Sequence, residues 1–167
     1  DQTRLRAADG YGYFLLWGLL WGLGYVGSIW WSHRVWAVIG PVGGILSVLI
    51  GFRQKKRHPW PLLLKKIGWL MIIFCIYIGF LFSQLLILTP NTQVLNSYWP
   101  FHIGLLYVIA GIFGGRQIIL IGGWLILVAI AGIWLPSPIQ EIWLAGGGGG
   151  SLILTGLIFR KHVIKDA

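Results

Sequence analysis

Tyr11–Trp31, with the sequence YGYFLLWGLLWGLGYVGSIWW, decides the fold because it runs through the start of the chain without one charged side chain. An α-helix rises about 1.5 Å per residue, so a helix of this length covers a hydrocarbon core of roughly 30 Å. The stretch is too long and too aromatic for a secretory signal segment. We therefore expect it to remain in the protein as a transmembrane helix.

Five further apolar stretches follow, and the whole chain has 57% apolar and 10% charged residues. A soluble domain carries roughly 25% charged residues, so this composition indicates a membrane protein. Six spans use most of the 167 residues and leave no room for an extramembrane domain. We predict a single domain over residues 1–167, an all-α polytopic bundle of six transmembrane helices. The predicted spans are residues 11–31, 35–52, 67–88, 99–115, 118–135 and 142–159.

The basic residues fix the predicted orientation. With these spans, every Lys and Arg except Arg34 lies on one side of the membrane. Positive charges resist translocation, so that side is predicted to be cytoplasmic and to hold both termini. The net charge of +9 is juxtamembrane and suits anionic lipid headgroups at the cytoplasmic face, which argues against nucleic acid as a partner.

The spans also suggest an internal repeat of three αα-hairpins. A tryptophan precedes an arginine by the same distance in the second, fourth and sixth spans. The pairs are Trp36 with Arg53, Trp99 with Arg116, and Trp143 with Arg160. Interface preferences alone could place Trp outside and Arg inside in every even-numbered span, so duplication and convergence both remain open.

Glycine is concentrated inside the spans, where small residues let helices approach closely. Four small-xxx-small pairs are predicted to pack helices, within one chain or through self-association. They are Gly18 with Gly22, Gly40 with Gly44, Gly111 with Gly115, and Gly146 with Gly150. The run of five glycines at 146–150 is interpreted either as a packing notch or as a broken helix lining a cavity.

Polar residues inside the spans are few. Glu141, Arg116 and Arg34 are predicted to lie at span boundaries, which argues against a transporter with a central buried charge. The candidates for a polar core or small-molecule cavity are Tyr77, Ser83, Gln84, Tyr107 and Trp124. The competing interpretation is that they make interhelical hydrogen bonds worth about 1 kcal/mol each.

Two histidines, His33 and His102, are predicted at the outer boundary. Imidazole is the usual axial ligand of haem, so the pair could hold a haem or pigment, although solvated loop histidines are commoner. No catalytic triad, paired carboxylates or metal-ligand spacing occurs in the sequence, so we predict no enzyme, no metal and no cofactor.

The block from Tyr11 to Gly18 and the Gly-rich ending, from Trp143 through Gly156 to Arg160 and Lys161, resemble uncharacterised small six-span integral membrane proteins of bacteria. The resemblance implies a multi-pass protein of the bacterial plasma membrane. It carries over no catalytic residue.

The sequence therefore favours an accessory, sensory or scaffold subunit of a membrane assembly, acting through helix faces and lipid contacts with a membrane protein partner or a second copy. The first alternative is a small-molecule transporter or channel subunit, with the 146–150 run as a gate. The second is a cofactor-carrying subunit of a respiratory or photosynthetic complex.

Overall fold

The computed structural model describes residues 10–57, 79, 81 and 92–165. Its helices are α1 (Tyr11–Trp31), α2 (Trp36–Arg57), α3 (Thr92–Gly114), α4 (Arg116–Ile133), α5 (Ile139–Trp143) and α6 (Ser151–Lys165). A 3₁₀ turn, Ser32–Val35, joins α1 to α2, and a π-helical segment, Leu144–Gly150, joins α5 to α6 without a break. The prediction of an all-helical protein is confirmed over the described ranges, which contain no strand.

Four helices are long and apolar enough to cross a membrane: Tyr11–Trp31, Trp36–Arg53, Arg116–Ile133 and Ile139–Lys161. α3 is not among the four. It begins at Thr92, well before the predicted start at residue 99, and its first turns carry Gln93, Asn96 and Ser97. The third predicted span, 67–88, lies outside the described residues except at positions 79 and 81.

α1 lies at the centre of the described bundle. Its buried residues include Phe14, Gly18, Trp21, Tyr25 and Ser28, which recur every three or four positions and so form one face. α5, the π segment and α6 form one continuous helix over residues 139–165, called the last helix below. The buried face of α1 packs against its π segment and α6, so the first and last described helices are neighbours. The core side chains come from α1, α4 and this last helix: Phe14, Trp21, Tyr25, Leu125, Val128, Leu144, Leu152 and Phe159.

α3 and α4 form a tight antiparallel hairpin. Gly115 between them has a φ of 109°, a left-handed conformation that glycine adopts without a Cβ clash. The two helices cross where Gly104 meets Gly122: a Cβ added to Gly104 would lie 2.8 Å from Gly122 O, and one added to Gly122 would lie 2.5 Å from Gly104 O. The backbones therefore touch, which only glycine permits.

The glycine run at 146–150 stays helical, with π winding. Its three middle residues face neighbours: an added Cβ would lie 3.2 Å from Val128 at Gly147, 3.2 Å from Trp21 at Gly148, and 2.8 Å from Gly18 O at Gly149. Trp124 Nε1 donates to Gly147 O at 2.9 Å, and Ser151 Oγ donates to Gly148 O at 2.8 Å. Close packing therefore accounts for the three middle glycines, and side chains donate to carbonyls within the run.

α2 is peripheral. Only 6% of the residues in its apolar segment are buried, against 39% of those in α1. It contacts α1 through one face, where Trp17 Nε1 donates to Ser47 Oγ at 3.0 Å and Gly43 lies against Leu20 and Trp17. α1 thus packs mainly on the last helix while α3 packs mainly on α4, and this difference gives the three-hairpin repeat no support.

Candidate functional site: a buried polar cluster beside Glu141

The described residues contain one dense group of polar side chains at the end of the bundle where α3 and α5 begin, all of them buried except the half-buried Gln93 and the exposed Ser137. α1 contributes a tyrosine, α3 three residues, and α5 with the turn before it another three. The members of this polar cluster are Tyr25, Gln93, Asn96, Ser97, Ser137, Gln140 and Glu141.

The turn between α4 and α5 brings Gln140 and Glu141 into the bundle. α4 ends at Ile133, and α5 starts after Pro138, with the backbone N–H of Gln140 bonded to Pro136 O at 3.0 Å. Both side chains lie in the first turn of α5 and face α3, with exposed fractions of 0% and 5%. Side chains of this polarity are costly to bury unless they find partners.

Gln140 finds a partner for each of its amide groups. Its Nε2 donates to Gln93 O at 2.7 Å and to Ser97 Oγ at 3.2 Å, and its Oε1 accepts from Asn96 Nδ2 at 3.0 Å. Gln93 in turn donates from Nε2 to Leu135 O at 3.1 Å. These bonds attach the first turns of α3 to α5 and to the preceding turn.

Glu141 is satisfied on one oxygen only. Its Oε1 accepts from Ser137 Oγ at 3.0 Å and from Asn96 Nδ2 at 3.3 Å, and both donors are uncharged. Its Oε2 is buried and has no hydrogen-bond partner within the part of the chain that the structure describes. A buried carboxylate oxygen without a partner is a rare and costly arrangement, and therefore marks a candidate functional group.

Tyr25 completes the cluster through the backbone of α3. Pro100 lies inside α3 and has no N–H, so it cannot bond to the carbonyl of Asn96, four residues earlier. Tyr25 Oη donates to that carbonyl oxygen at 2.9 Å. The phenol of α1 thus replaces the missing helical hydrogen bond, and Pro100 can be fully buried within a continuous helix.

The sequence-predicted cavity residues are not brought together in the described structure. Tyr107 packs beside the apolar core with its ring centroid 5.6 Å from that of Phe14. Trp124 is 45% exposed and donates to the glycine run. Tyr77, Ser83 and Gln84 lie outside the described residues.

The two candidate haem ligands differ in what the structure describes. His33 lies in the 3₁₀ turn, and its side chain is outside the described part. His102 is half-buried, with its ring centroid 4.1 Å from that of Tyr98 and its Nδ1 2.8 Å from Tyr98 O. A carbonyl can only accept, so Nδ1 is the donor in this hydrogen bond. Among the described residues, no three His, Cys, Asp or Glu side chains come together as metal ligands.

The eight glycines predicted to pack helices have different surroundings. Gly18 and Gly111 have backbone atoms of a second helix within 3 Å of an added Cβ, and Gly22 is approached by Gly149. A Cβ added to Gly22 itself would meet no described atom within 4 Å, and the same holds for the other five, Gly40, Gly44, Gly115, Gly146 and Gly150. The closest described crossings also use Gly104, Gly122 and Gly149, which the spacing rule did not select.

The sequence reasoning placed Glu141 at a span boundary and did not identify the polar cluster. Glu141 is near the start of its helix, but it is buried. The available signal was two groups of neighbouring polar residues, 93–97 and 137–141, in an otherwise apolar chain.

Comparison with protein-family models, with curated proteins and with solved structures finds no match for this chain. Interpretation of the site therefore depends on its own geometry and chemistry.

Proposed function

We propose that the chain is a multi-pass protein of the bacterial plasma membrane that crosses the bilayer six times with both termini in the cytoplasm. The four long apolar helices and the sorting of basic residues support this topology. The exposed Arg34 lies between α1 and α2, whereas Arg53, Arg116 and Arg160 lie at the opposite helix ends.

The topology is tested by placing a single cysteine at either face after Cys75→Ser removes the native thiol. A membrane-impermeant thiol reagent added outside the cell should label Arg34→Cys and not Arg116→Cys. Labelling of both positions, or of the second alone, contradicts the proposed orientation.

Within that topology, we propose that the chain is an accessory or scaffold subunit that binds another transmembrane helix through α2. The observation that carries the proposal is the face of α2 turned away from α1. Its aliphatic and aromatic residues recur at alternating intervals of four and three and are all exposed: Val38, Val42, Ile45, Leu49 and Phe52. Such spacing is the pattern of a helix that packs along a second helix.

Two glycines offer a second contact side on α2, roughly 140° around the helix from this face. Lipid tails are as apolar as leucine, so exposed aliphatic residues alone do not distinguish lipid from a protein partner. Gly40 and Gly44, however, form a GxxxG pair that has no described neighbour within 4 Å of an added Cβ. Such a pair lets a partner helix approach the backbone closely, and it has no corresponding advantage toward lipid.

The centre of the described bundle supports a packing role over a transport role. Leu125, Leu144 and Leu152 have no exposed surface, and the rings of Phe14 and Phe159 meet edge to face at 5.5 Å. The cofactor-subunit alternative has no comparable supporting observation in the described part of the chain.

Lipid contact is a second component of the proposed role. A shallow groove at the end of α6 is lined by Leu154, Leu157, Ile158, Arg160 and Lys161. The two cations could hold an anionic headgroup while an acyl chain lies along the aliphatic side chains. This arrangement suits the cytoplasmic headgroup layer, where anionic lipids are attracted by basic residues.

The helix-binding role is tested by photo-cross-linking in the native membrane. A photoreactive amino acid replaces Ile45 on α2, 62% exposed, or Leu127 on α4, 61% exposed, as the control. We expect a protein adduct from position 45 and only lipid adducts from position 127. Lipid adducts alone at both positions contradict the proposal, and an adduct of twice the chain mass identifies self-association.

A substitution separates binding from folding. Gly44→Val adds a side chain where the described chain has free space, so thermal unfolding of the purified protein should be unchanged. Loss of the adduct from position 45 in this variant would show that the partner helix also contacts the glycine side of α2. Retention of that adduct in the valine variant would show that the glycine pair is not the contact. The matched substitution Gly123→Val, also in free space but on α4, should leave the adduct intact.

A further inference from the structure

The free oxygen of Glu141 is the starting point. Glu141 is the only acidic residue between positions 10 and 165, and it is 5% exposed. Its hydrogen-bond partners among the described residues, Ser137 and Asn96, are neutral and both bind Oε1. The second oxygen of Glu141, Oε2, is buried and has no described partner.

Neutral hydrogen bonds lower the cost of burying a carboxylate but do not remove its charge. An uncompensated ion in a medium of low dielectric constant is strongly unfavourable, so buried charges are paired or bind metal ions. A cation at Oε2 would cancel this charge. It would also use the one carboxylate oxygen that Asn96 and Ser137 leave open.

We propose that Glu141 binds a small monovalent cation of the Na⁺ type through Oε2, within the polar cluster. A single carboxylate balances one positive charge, whereas a divalent ion would leave an excess charge buried. The other oxygens of the polar cluster are hydroxyl, phenol and amide oxygens, which are hard ligands suited to hard cations. Hydroxyl and carbonyl oxygens have two lone pairs, so those already accepting one hydrogen bond can still coordinate an ion.

Asn96 is the positioning residue of this site. Its Nδ2 donates to Gln140 Oε1 and to Glu141 Oε1, so it holds the carboxylate by one oxygen and leaves the other open. The carbonyl of the same residue accepts from Tyr25 Oη, which fixes its backbone. Three helices therefore orient Glu141 before any ion binds, and this reduces the ordering cost of binding.

The first test uses the purified full-length chain at constant pH. An apolar carbodiimide modifies buried carboxyl groups, and peptide mass spectrometry identifies the modified residue. We expect NaCl to slow modification of Glu141 at least several-fold relative to choline chloride at equal ionic strength. Equal rates in the two salts, or a rate that responds only to pH, would overturn the proposal in favour of a proton or a buried water.

The second test measures thermal unfolding as a function of NaCl concentration, because an ion that binds only the folded state raises the unfolding temperature. The unfolding temperature of the unmodified protein should rise with NaCl and not with choline chloride, and Glu141→Gln should abolish the difference. Ser28→Ala removes a buried hydroxyl outside the polar cluster, which donates to Gly24 O within α1, so it should keep the sodium response. A response that persists in Glu141→Gln contradicts the assignment.

Asn96→Asp distinguishes positioning from simple packing. It replaces the donor to Glu141 with a second carboxylate, so it should change which cation stabilises the protein, with Ca²⁺ gaining relative to Na⁺. A variant that only lowers the unfolding temperature, with the ion preference unchanged, would show that Asn96 does not orient the ligand.

Discussion

Two helix pairs in this molecule cross at glycines in the same reciprocal manner. In the α3–α4 pair, an added Cβ at Gly104 would meet Gly122 O, and one at Gly122 would meet Gly104 O. In the pair formed by α1 and the last helix, an added Cβ at Gly18 would meet Gly149 O, and one at Gly149 would meet Gly18 O. Each crossing therefore places backbone directly on backbone.

The two crossings differ in what else holds the helices together. α3 and α4 are joined by a single residue, Gly115, and both are regular α-helices. α1 and the last helix are far apart in sequence, and one side of their contact is π-wound. Close approach thus depends on matched glycines and not on a short connection between the two helices. The π winding is found only at the crossing whose helices are far apart in sequence.

The largest expected effect is at the α3–α4 crossing. In Gly122→Ala the new Cβ would lie 2.5 Å from Gly104 O and 2.6 Å from Val108 N, and backbone atoms cannot move aside easily. We expect a loss of about 2–3 kcal/mol in the free energy of unfolding, the upper range for overpacking. Gly123→Ala, which meets no described atom within 4 Å, is the control. Equal stability of the two variants in detergent unfolding would refute the close crossing.

A smaller loss is expected at the crossing of α1 with the last helix. In Gly149→Ala the new Cβ would lie 2.8 Å from Gly18 O and 2.9 Å from Gly22 N, slightly farther than in the hairpin. We expect a loss of about 1–2 kcal/mol relative to Gly150→Ala, which has free space. If Gly149→Ala lowered the free energy of unfolding more than Gly122→Ala, the short α3–α4 connection would have to offset part of the clash that Gly122→Ala introduces.

Tyr25→Phe should cost about 1–2 kcal/mol, because it leaves the buried carbonyl of Asn96 without a donor. The cost should fall when Pro100→Ala restores a backbone N–H four residues after Asn96. A double-mutant cycle measured by unfolding reports this coupling. Strict additivity of the two changes would show that Tyr25 does not replace the bond that proline removes.

The smallest expected effect is at the π segment. Trp124→Phe removes the donor to Gly147 O from a side chain that is 45% exposed, so about 0.5–1 kcal/mol should be lost. Trp134→Phe, at a residue that is 83% exposed, is the control for a general loss of tryptophan. If the two variants were equally stable, the Gly147 carbonyl would need no side-chain donor.

The sequence predicted the helical class and the positions of α1, α2, α4 and the last helix, because apolar length is a local property of the chain. It predicted the wrong start for α3. Gln93, Asn96 and Ser97 interrupt the apolar pattern before Pro100, and the predicted fourth span therefore starts after them, at residue 99. In the structure their partners are Gln140 and Glu141, and the resulting burial makes helix favourable there.

The choice of packing glycines could be predicted only in part for a related reason. Glycine spacing identifies a smooth helix face but not whether a neighbour lies against it. Gly18 and Gly40 both begin a GxxxG pair in a transmembrane stretch, yet only Gly18 has a described helix against its Cα. The burial of Glu141 likewise depends on packing against α3, and the sequence of α5 alone does not indicate this neighbour.

Pro100 has a consequence for how the chain is made. An unbonded buried carbonyl is costly, and α3 has no backbone donor for that of Asn96. The phenol that completes it belongs to α1, which is synthesised earlier than α3. α3 can therefore become fully hydrogen-bonded at this position only by packing on a helix that the ribosome has already made.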